Sequence, residues 1–508
     1  MDEYHDGDDY GKPENTVSDL INTIHISILH LIIELIITDF FEMATTAIFW
    51  FRSDLRLADN LALYEAVKAH QSVIPIYIHD DKHGGSWSIG NASKWWLHNS
   101  LVNLAKEINL IIRAGDSLEQ LLNVIKETGA KHVYWNRRYE PFSIEIDTKI
   151  KKHLEEIGVE VKSFSGTLLF EPWEIRNLNK SNYKVFTAYW NACLRNGVSR
   201  LPLPKVKPVH SQQIITKAIV DLKLLPIQNW AKEFSAYWQP GENYARNKLE
   251  DFINHKIDNY TQGRNFPTQD NTSHLSPHLH FGEISPHYIW HRIKQAEMEK
   301  SITPEASISY LREIGWREFS SYLLYHYPDL PDKNWRKEFD KFPWQANVKL
   351  LDAWQKGMTG YPIIDAGMRE LWRTGYMHNR VRMIVASFLT KHLLIDWREG
   401  EKWFWDTLVD ADLANNSCSW QWVAGSGADA APYYRIFNPI LQGEKFDPDG
   451  EYVRKWIPEL TQLPNQYIHT PWLAPDYVLA GTTYPKPIVG HQQARQLALE
   501  SYKLISKL

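Results

Sequence analysis

Asp410–Pro439 has the sequence DADLANNSCSWQWVAGSGADAAPYYRIFNP, and the prediction of the fold starts from this stretch. Two carboxylates, Asp410 and Asp412, stand close before an amide, a pair of tryptophans and a run of small residues. An Asp-x-Asp element most often caps a helix or binds a metal ion. The sequence shows no third ligand nearby, so we predict no metal site here.

The composition is that of a globular protein. The chain has 508 residues, 44% of them hydrophobic and 23% charged, and this length predicts two or three domains. Core packing accounts for most of its 22 tryptophans, but the excess also suggests aromatic stacking or redox work. The only cysteines, Cys193 and Cys418, have no paired spacing, which favours a reducing, cytoplasmic compartment without disulfides.

The net charge of −5 is unevenly distributed along the chain. Residues 1–43 contain ten acidic residues and one lysine, so residues 44–508 carry a net charge of +4. A mildly basic body permits a positive patch for nucleic acid.

The first 43 residues are predicted to be a non-native or disordered leader. Residues 24–41 are strongly apolar, but His25, His30, Glu34 and Asp39 interrupt them, and charge inside a membrane span is costly. The acidic start also differs from the basic start of a signal peptide. We expect Met43 to be the natural start, and a membrane anchor is the lesser alternative.

Residues 44–170 alternate between apolar runs and helical segments. The runs are AIFWF, SVIPIYI, LIIRAG, HVYWN and VEVKSF, and helical segments are predicted near 59–69, 92–108, 117–129 and 143–157. This alternation predicts a doubly wound, parallel α/β domain. Residues 171–245 are punctuated by prolines and predict an interdomain connector, and residues 246–508 are predicted to be helical.

With FRSDLRLADNLAL at residues 51–63, the stretch from Asp410 to Pro439 resembles the photolyase/cryptochrome family, in which light drives electron transfer from FAD. The resemblance covers residues 44–508. It implies an N-terminal α/β antenna-binding domain followed by an all-α, FAD-binding catalytic domain. A second chromophore is also implied, either methenyltetrahydrofolate or a deazaflavin, and the sequence leaves that choice open.

The FAD site is expected in two separate stretches. In TSHLSPHLHFGEISP, at residues 272–286, Ser276 and Pro277 are a good N-cap and first residue of a helix, and helix N-termini bind phosphate. By resemblance, the cofactor-binding residues are Tyr260, Thr272, Ser273, His274, Leu275, Ser276, Arg382, Asp410, Ala411, Asp412 and Asn416. Arg382 is the expected ion partner of Asp410.

Asn416 distinguishes branches of the family, although an asparagine in a loop is usually only a turn former. By resemblance it faces flavin N5. A carboxylic acid there, as in plant cryptochromes, can protonate the one-electron-reduced flavin. A neutral amide cannot, which favours the fully reduced, anionic flavin as the working state.

The substrate site combines polar, apolar and aromatic side chains. Glu313 and Trp316 are three residues apart and share a helix face, and Asn379 and Met383 are four apart. Singly, each is more often a core or surface residue. Together they suit a cyclobutane pyrimidine dimer, with stacking of roughly 1–3 kcal/mol per base on tryptophan. By resemblance, the substrate- and DNA-binding residues are Arg264, Glu313, Trp316, Arg317, Asn379, Arg380, Met383 and Trp422.

Three tryptophans, Trp344, Trp397 and Trp420, match the photoreduction chain of the family, although packing is their default role. The catalytic residues expected are these three with Glu313, which would stabilise a radical anion, and Asn416. The form MHNRVRM at residues 377–383 is similar to that of bacterial cyclobutane-dimer photolyases.

The function expected is therefore light-driven repair of cyclobutane pyrimidine dimers, a carbon–carbon lyase reaction. The alternative is a blue-light photoreceptor without repair activity, against which Asn416 and the lack of a long polar tail weigh. The partner expected is UV-damaged DNA and not a membrane. We expect a monomer in the bacterial cytoplasm, associated with the nucleoid through DNA.

Overall fold

A computed structural model describes residues 24–26, 28, 30, 46–177, 179–198, 200–226, 229–430, 434–479 and 482–506. In the leader, the five described residues are exposed and helical. The rest of the prediction for residues 1–43, including the start at Met43, lies outside the described residues. No helix in the described ranges is long and apolar enough to cross a membrane.

The first region is built on a five-stranded parallel sheet in the order β3-β2-β1-β4-β5. The strands are β1 Thr46–Phe51, β2 Ser72–His79, β3 Ile111–Ala114, β4 His132–Asn136 and β5 Glu160–Phe164. Four helices connect them: α1 Leu61–Ala69, α2 Asn91–Ala105, α3 Ser117–Thr128 and α4 Pro141–Glu156. The predicted doubly wound α/β class is confirmed.

The two faces of the sheet are covered by different helices because side chains alternate along a strand. On β1, Phe49 and Phe51 pack with α1 and α2, whereas Ile48 and Trp50 pack with α3 and α4. Since both of their faces are buried, β1 and β2 are apolar runs without alternation, whereas the edge strand β5 is partly exposed.

Among the described residues, the chain after β5 is mainly helical from residue 246 onward, as predicted. Its α-helices are α5 Phe186–Asn196, α6 Phe234–Tyr237, α7 Glu242–His255, α8 Ile257–Gly263, α9 Ser276–His280, α10 Pro286–Met298, α11 Pro304–His326, α12 Val348–Gln355, α13 Pro362–Thr374, α14 Asn379–Ser387, α15 Trp397–Thr407, α16 Leu413–Ala424, α17 Pro439–Phe446, α18 Glu451–Trp456, α19 Asp476–Leu479 and α20 His491–Ser506. A π-helical turn, Phe388–His392, follows α14. Helix α5 lies inside the stretch predicted as an irregular connector, where it packs its aromatic face against α11.

The loop after β1 joins the two regions. Arg56 is 1% exposed and donates hydrogen bonds to the carbonyl oxygens of Gly282 (2.8 Å) and Gly166 (2.6 Å). Gly282 has a φ of +65°, and a Cβ there would lie 2.2 Å from the carbonyl oxygen of Ser53. Only glycine therefore allows the backbones to approach this closely.

Further contacts connect the same loop to the helical region. The carboxylate of Glu242 accepts hydrogen bonds from the backbone N–H groups of Leu57 (2.7 Å) and Ala58 (3.1 Å). Asp59 pairs with Arg200 at 2.5 Å and accepts a hydrogen bond from Ser285. The loop after β1 is thus hydrogen-bonded to the segment that follows α9.

Replacing Arg56 with alanine tests this junction. We expect Arg56→Ala to lower the free energy of unfolding by about 3 kcal/mol, since it leaves buried carbonyl acceptors without a donor. Denaturant unfolding of the full chain measures the change. The exposed Arg195 is the control, and Arg195→Ala should shift stability by no more than about 0.5 kcal/mol. Equal stability of the two variants would contradict a structural role for Arg56.

Candidate active site

A cavity of about 530 Å³ lies in the helical region, between α8, α9, α11, α14 and α16. Seventeen of the predicted site residues line it: Tyr260, Arg264, Ser273, Leu275, Ser276, Glu313, Trp316, Arg317, Asn379, Arg382, Met383, Asp410, Ala411, Asp412, Asn416, Trp420 and Trp422. Thr272, His274, Trp344, Arg380 and Trp397 are not among the residues lining this cavity. The fold therefore brings together side chains from four separate stretches of sequence, at residues 260–276, 313–317, 379–383 and 410–422.

Asp410 links three of these stretches. Both of its oxygens accept hydrogen bonds from Nη2 of Arg382 (3.1 and 2.9 Å), and Oδ2 also accepts one from the Ser276 hydroxyl (2.6 Å). The ion pair expected between Arg382 and Asp410 is present. Ser276, however, is the first residue of α9 and not its N-cap, because its hydroxyl is used by Asp410 and not by the helix backbone.

Asp412 is the N-cap of α16. Its Oδ1 accepts hydrogen bonds from the backbone N–H (2.9 Å) and the side-chain amide (2.7 Å) of Asn415. Burial opposes its charge, but His280, Arg317 and the Asn415 N–H outweigh burial and hold the pKa of Asp412 below its ordinary value. Asp412 therefore stays ionised in the cavity wall.

The amide of Asn416 has a fixed orientation. Its Nδ2 donates a hydrogen bond to the main-chain oxygen of Glu401 (2.9 Å), and the residue is 9% exposed. The carbonyl oxygen Oδ1 is therefore the polar atom left to face the cavity. A hydrogen-bond acceptor at this position suits an N–H group of a ligand.

The segment before α9 supplies hydroxyls. Ser273 Oγ accepts a hydrogen bond from the Tyr310 hydroxyl (3.1 Å). Burial raises the pKa of Tyr310 to about 12, so the phenol stays protonated. Thr272 Oγ1 and His274 Nε2 are 3.2 Å apart, and His274 also contacts Asp270.

The open end of the cavity is aromatic and charged. Trp316 stacks on Phe186, with ring centroids 3.7 Å apart and planes 8° apart, and Trp422 donates its Nε1–H to the carbonyl of Asp429 (3.1 Å). Glu313 is paired with Arg264 at 2.5 Å, and both are partly exposed.

Two other arginines of the predicted DNA-binding set differ in position. Arg380 is half-buried and donates a hydrogen bond to Asn265 Oδ1 (2.5 Å). Arg317 is only 16% exposed and pairs with the buried Glu318 at 3.2 Å. Its positive charge also helps to lower the pKa of Asp412. Arg317 therefore lies in the cavity wall near Asp412.

The three tryptophans occupy different depths. Trp420 lines the cavity, Trp397 is fully buried and donates a hydrogen bond to Asn334 (2.9 Å), and Trp344 is half-buried. A Cβ on Gly400 would lie 2.1 Å from the Trp420 ring, so α15 and α16 are in close contact. Of the three, Trp344 is the most exposed.

Several lining residues were missed by the sequence analysis, among them Tyr310, His280, Phe404 and Asn415. Tyr310 precedes Glu313 by three residues on α11, so the helix-face argument already used for Trp316 could have found it. No local signal marks Phe404, since its place in the cavity depends on how α15 packs.

The described ranges contain no group of three or more His, Cys, Asp or Glu side chains that could hold a metal ion. The donors present instead suit a nucleotide cofactor. The cavity combines hydroxyls, guanidinium groups and an amide carbonyl with aromatic rings.

Comparison with known proteins agrees with this site. Residues 310–504 match the family described as the FAD binding domain of DNA photolyase, and residues 47–208 match the family described as DNA photolyase. A deoxyribodipyrimidine photo-lyase of Agrobacterium fabrum is 49% identical over 91% of this chain and 98% of its own length. The chain belongs to the DNA photolyase family. The resemblance stated from the sequence is thereby confirmed.

Two further relatives indicate how far this family extends. Cryptochrome-2 of Arabidopsis thaliana is 39% identical over 90% of this chain and 78% of its own length. The crystal structure of a bacterial class III photolyase from Agrobacterium tumefaciens superposes with a TM-score of 0.88 at 48% identity, covering 92% of this chain and 98% of that one. Similarity to the photo-lyase thus exceeds similarity to this cryptochrome.

Replacing Asp410 with asparagine tests the cofactor end of the cavity. Asp410→Asn leaves the Arg382 charge without its partner, which costs about 3 kcal/mol in a buried pair. We expect FAD to bind about 100-fold more weakly, measured by cofactor content and titration. The exposed Asp449 provides the control, and Asp449→Asn should retain FAD. Equal FAD content in both variants would exclude this role for Asp410.

Proposed function

We propose that this protein repairs cyclobutane pyrimidine dimers in UV-damaged DNA with blue light, using reduced FAD bound in the cavity. The observation that carries the proposal is one cavity with a charged, hydroxyl-rich inner end and Glu313, Trp316, Asn379, Met383 and Trp422 at its open end. A photoreceptor would need the first set, but it has no use for the second.

The inner end would hold the cofactor. Ser273, Ser276 and the guanidinium groups of Arg382 and Arg317 suit the pyrophosphate, and the Oδ1 of Asn416 suits flavin N5. When bound in its reduced form, FAD supplies light-driven donation of one electron and its later recovery. The cyclobutane ring opens without net oxidation or reduction.

The open end would hold the lesion outside the duplex. Flipping a damaged pair out costs a few kcal/mol, and less than flipping an intact one. Stacking on Trp316 and Trp422 offsets this at roughly 1–3 kcal/mol per base. Glu313 and Asn379 provide hydrogen bonds to the pyrimidine edges, and Met383 provides an apolar wall.

Positive side chains near the opening would contact the DNA backbone. Arg264 and Arg380 are accessible from solvent. Burial lowers the pKa of Arg380, and repulsion from Arg264 and Arg435 lowers it further. Mutual repulsion between guanidinium groups is relieved when a phosphate binds. We retain Arg264 and Arg380 in this role and assign Arg317 to the cofactor.

Other features of the proposal rest on the family resemblance. The α/β region, residues 44–170, would hold a folate or deazaflavin antenna at the carboxyl ends of its strands. Residues 246–508 would be the catalytic domain, with residues 171–245 as the connector. The protein would act as a monomer in the bacterial cytoplasm, bound to the nucleoid through DNA.

Glu313 provides a test of the lesion end. Stabilisation of the radical anion by this residue is worth about one hydrogen bond, so Glu313→Ala should reduce dimer repair per absorbed photon about fivefold. Repair is followed on a thymine-dimer oligonucleotide with FAD fully reduced beforehand. Glu305 lies exposed on the same helix, and Glu305→Gln is the control. Unchanged repair by Glu313→Ala would remove Glu313 from the reaction.

The tryptophan series should matter for reduction of FAD and not for repair itself. Trp420→Phe removes the ring next to the cavity that is most easily oxidised. We therefore expect slower photoreduction of oxidised FAD, measured by absorption, and normal repair by enzyme reduced chemically beforehand. Loss of repair by the reduced variant would show that Trp420 acts on the substrate.

A further inference from the structure

Glu401 is a buried carboxyl group that the proposed function does not use. It lies on α15, which packs tightly against α16 at Gly400. Its Oε1 accepts a hydrogen bond from the Ser417 hydroxyl (2.5 Å). Its Oε2 is buried and has no hydrogen-bond partner.

The surroundings of Glu401 disfavour a negative charge. The charged groups whose electrostatic interactions affect its pKa are Asp332, Arg398 and Lys402. Among the described contacts, none of the three makes a hydrogen bond or an ion pair with the Glu401 side chain. Burial, assisted by Asp332, raises the pKa of Glu401 well above its ordinary value. A carboxylate with one hydrogen bond and no cation would cost several kcal/mol at such a site.

Glu401 also accepts hydrogen bonds from two consecutive residues of α16. Its side chain contacts Ser417, and its main-chain oxygen accepts the Nδ2–H of Asn416. Asn416 lines the cavity, whereas Ser417 is fully buried behind it. Displacement of Glu401 would thus move the turn of α16 that presents Asn416.

We propose that Glu401 is a positioning residue of the cofactor pocket, held as the neutral acid, which fixes Ser417 and the Asn416 amide so that Asn416 presents Oδ1 to the flavin. The inference rests on the proposed binding of FAD. Neutrality matters because a carboxylate here would add to the charges of Asp410 and Asp412 and oppose electron gain in the cavity.

The test compares three variants of the full, FAD-loaded protein. Glu401→Gln keeps a neutral side chain of the same shape, Glu401→Leu removes the contact to Ser417, and Ser417→Ala removes it from the other side. Glu399→Gln is the control, since Glu399 is exposed on the same helix and pairs with Lys402. The readout is the reoxidation rate of photoreduced flavin in air and darkness, followed by absorption from mildly acid to mildly alkaline pH.

We expect Glu401→Leu and Ser417→Ala to reoxidise about five- to tenfold faster, the effect of one lost hydrogen bond. Glu401→Gln and Glu399→Gln should match the unaltered protein at every pH. A reoxidation rate of Glu401→Gln that differs from that of the unaltered protein would show that a negative charge on Glu401 is needed. Unaltered rates in both Glu401→Leu and Ser417→Ala would exclude the positioning role. Either result overturns the proposal. If Glu401→Leu does not fold, Ser417→Ala carries the same comparison.

Infrared spectroscopy tests the neutral acid separately. The unaltered protein should show a carboxylic-acid C=O stretching band that Glu401→Gln lacks and that shifts in Ser417→Ala. No loss of such a band in Glu401→Gln would overturn the neutral assignment. The infrared measurement requires neither FAD nor DNA, so absence of repair or of FAD binding would refute the proposed function without deciding the state of Glu401.

Discussion

Burial of the Asp410 carboxylate is unfavourable unless it is paired and hydrogen-bonded. The arrangement of the cavity depends on the residues that make these contacts. Arg382 reaches it from α14 and Ser276 from α9, so three stretches far apart in sequence meet at one charge. Six residues after Ser276, the carbonyl of Gly282 accepts a hydrogen bond from Arg56 in the loop after β1. The segment from Ser276 to Gly282 therefore contributes to the cofactor end of the cavity and also accepts a hydrogen bond from the loop after β1.

This arrangement explains how one cavity can serve two ligands. Charged and hydroxyl groups are concentrated at the inner end, where Asp412 also caps α16 and places Asn416. Aromatic rings are concentrated at the open end, where Trp316 is held flat against Phe186. A flavin bound inside and a flipped-out lesion at the opening would meet in the middle, where electron transfer requires contact.

Much of this could be predicted from sequence, and the exceptions have physical causes. Strand-like runs predicted the five parallel strands, and the central strands β1 and β2 are almost entirely apolar because both of their faces are buried. Helix spacing placed Glu313 with Trp316 and Asn379 with Met383. Neither the use of the Ser276 hydroxyl by Asp410 nor the inward position of Arg317 could be predicted, since both depend on packing between distant helices. For the same reason, Glu401 carries no local signal.

The proposed function of the cavity is repair of a lesion and not only the sensing of light. Its most direct test is blue-light-dependent restoration of a thymine-dimer oligonucleotide by the purified protein with reduced FAD, compared with a dark sample. We predict restoration in the light and none in the dark. Absence of repair in the light, with reduced FAD bound, would contradict this account and favour a photoreceptor.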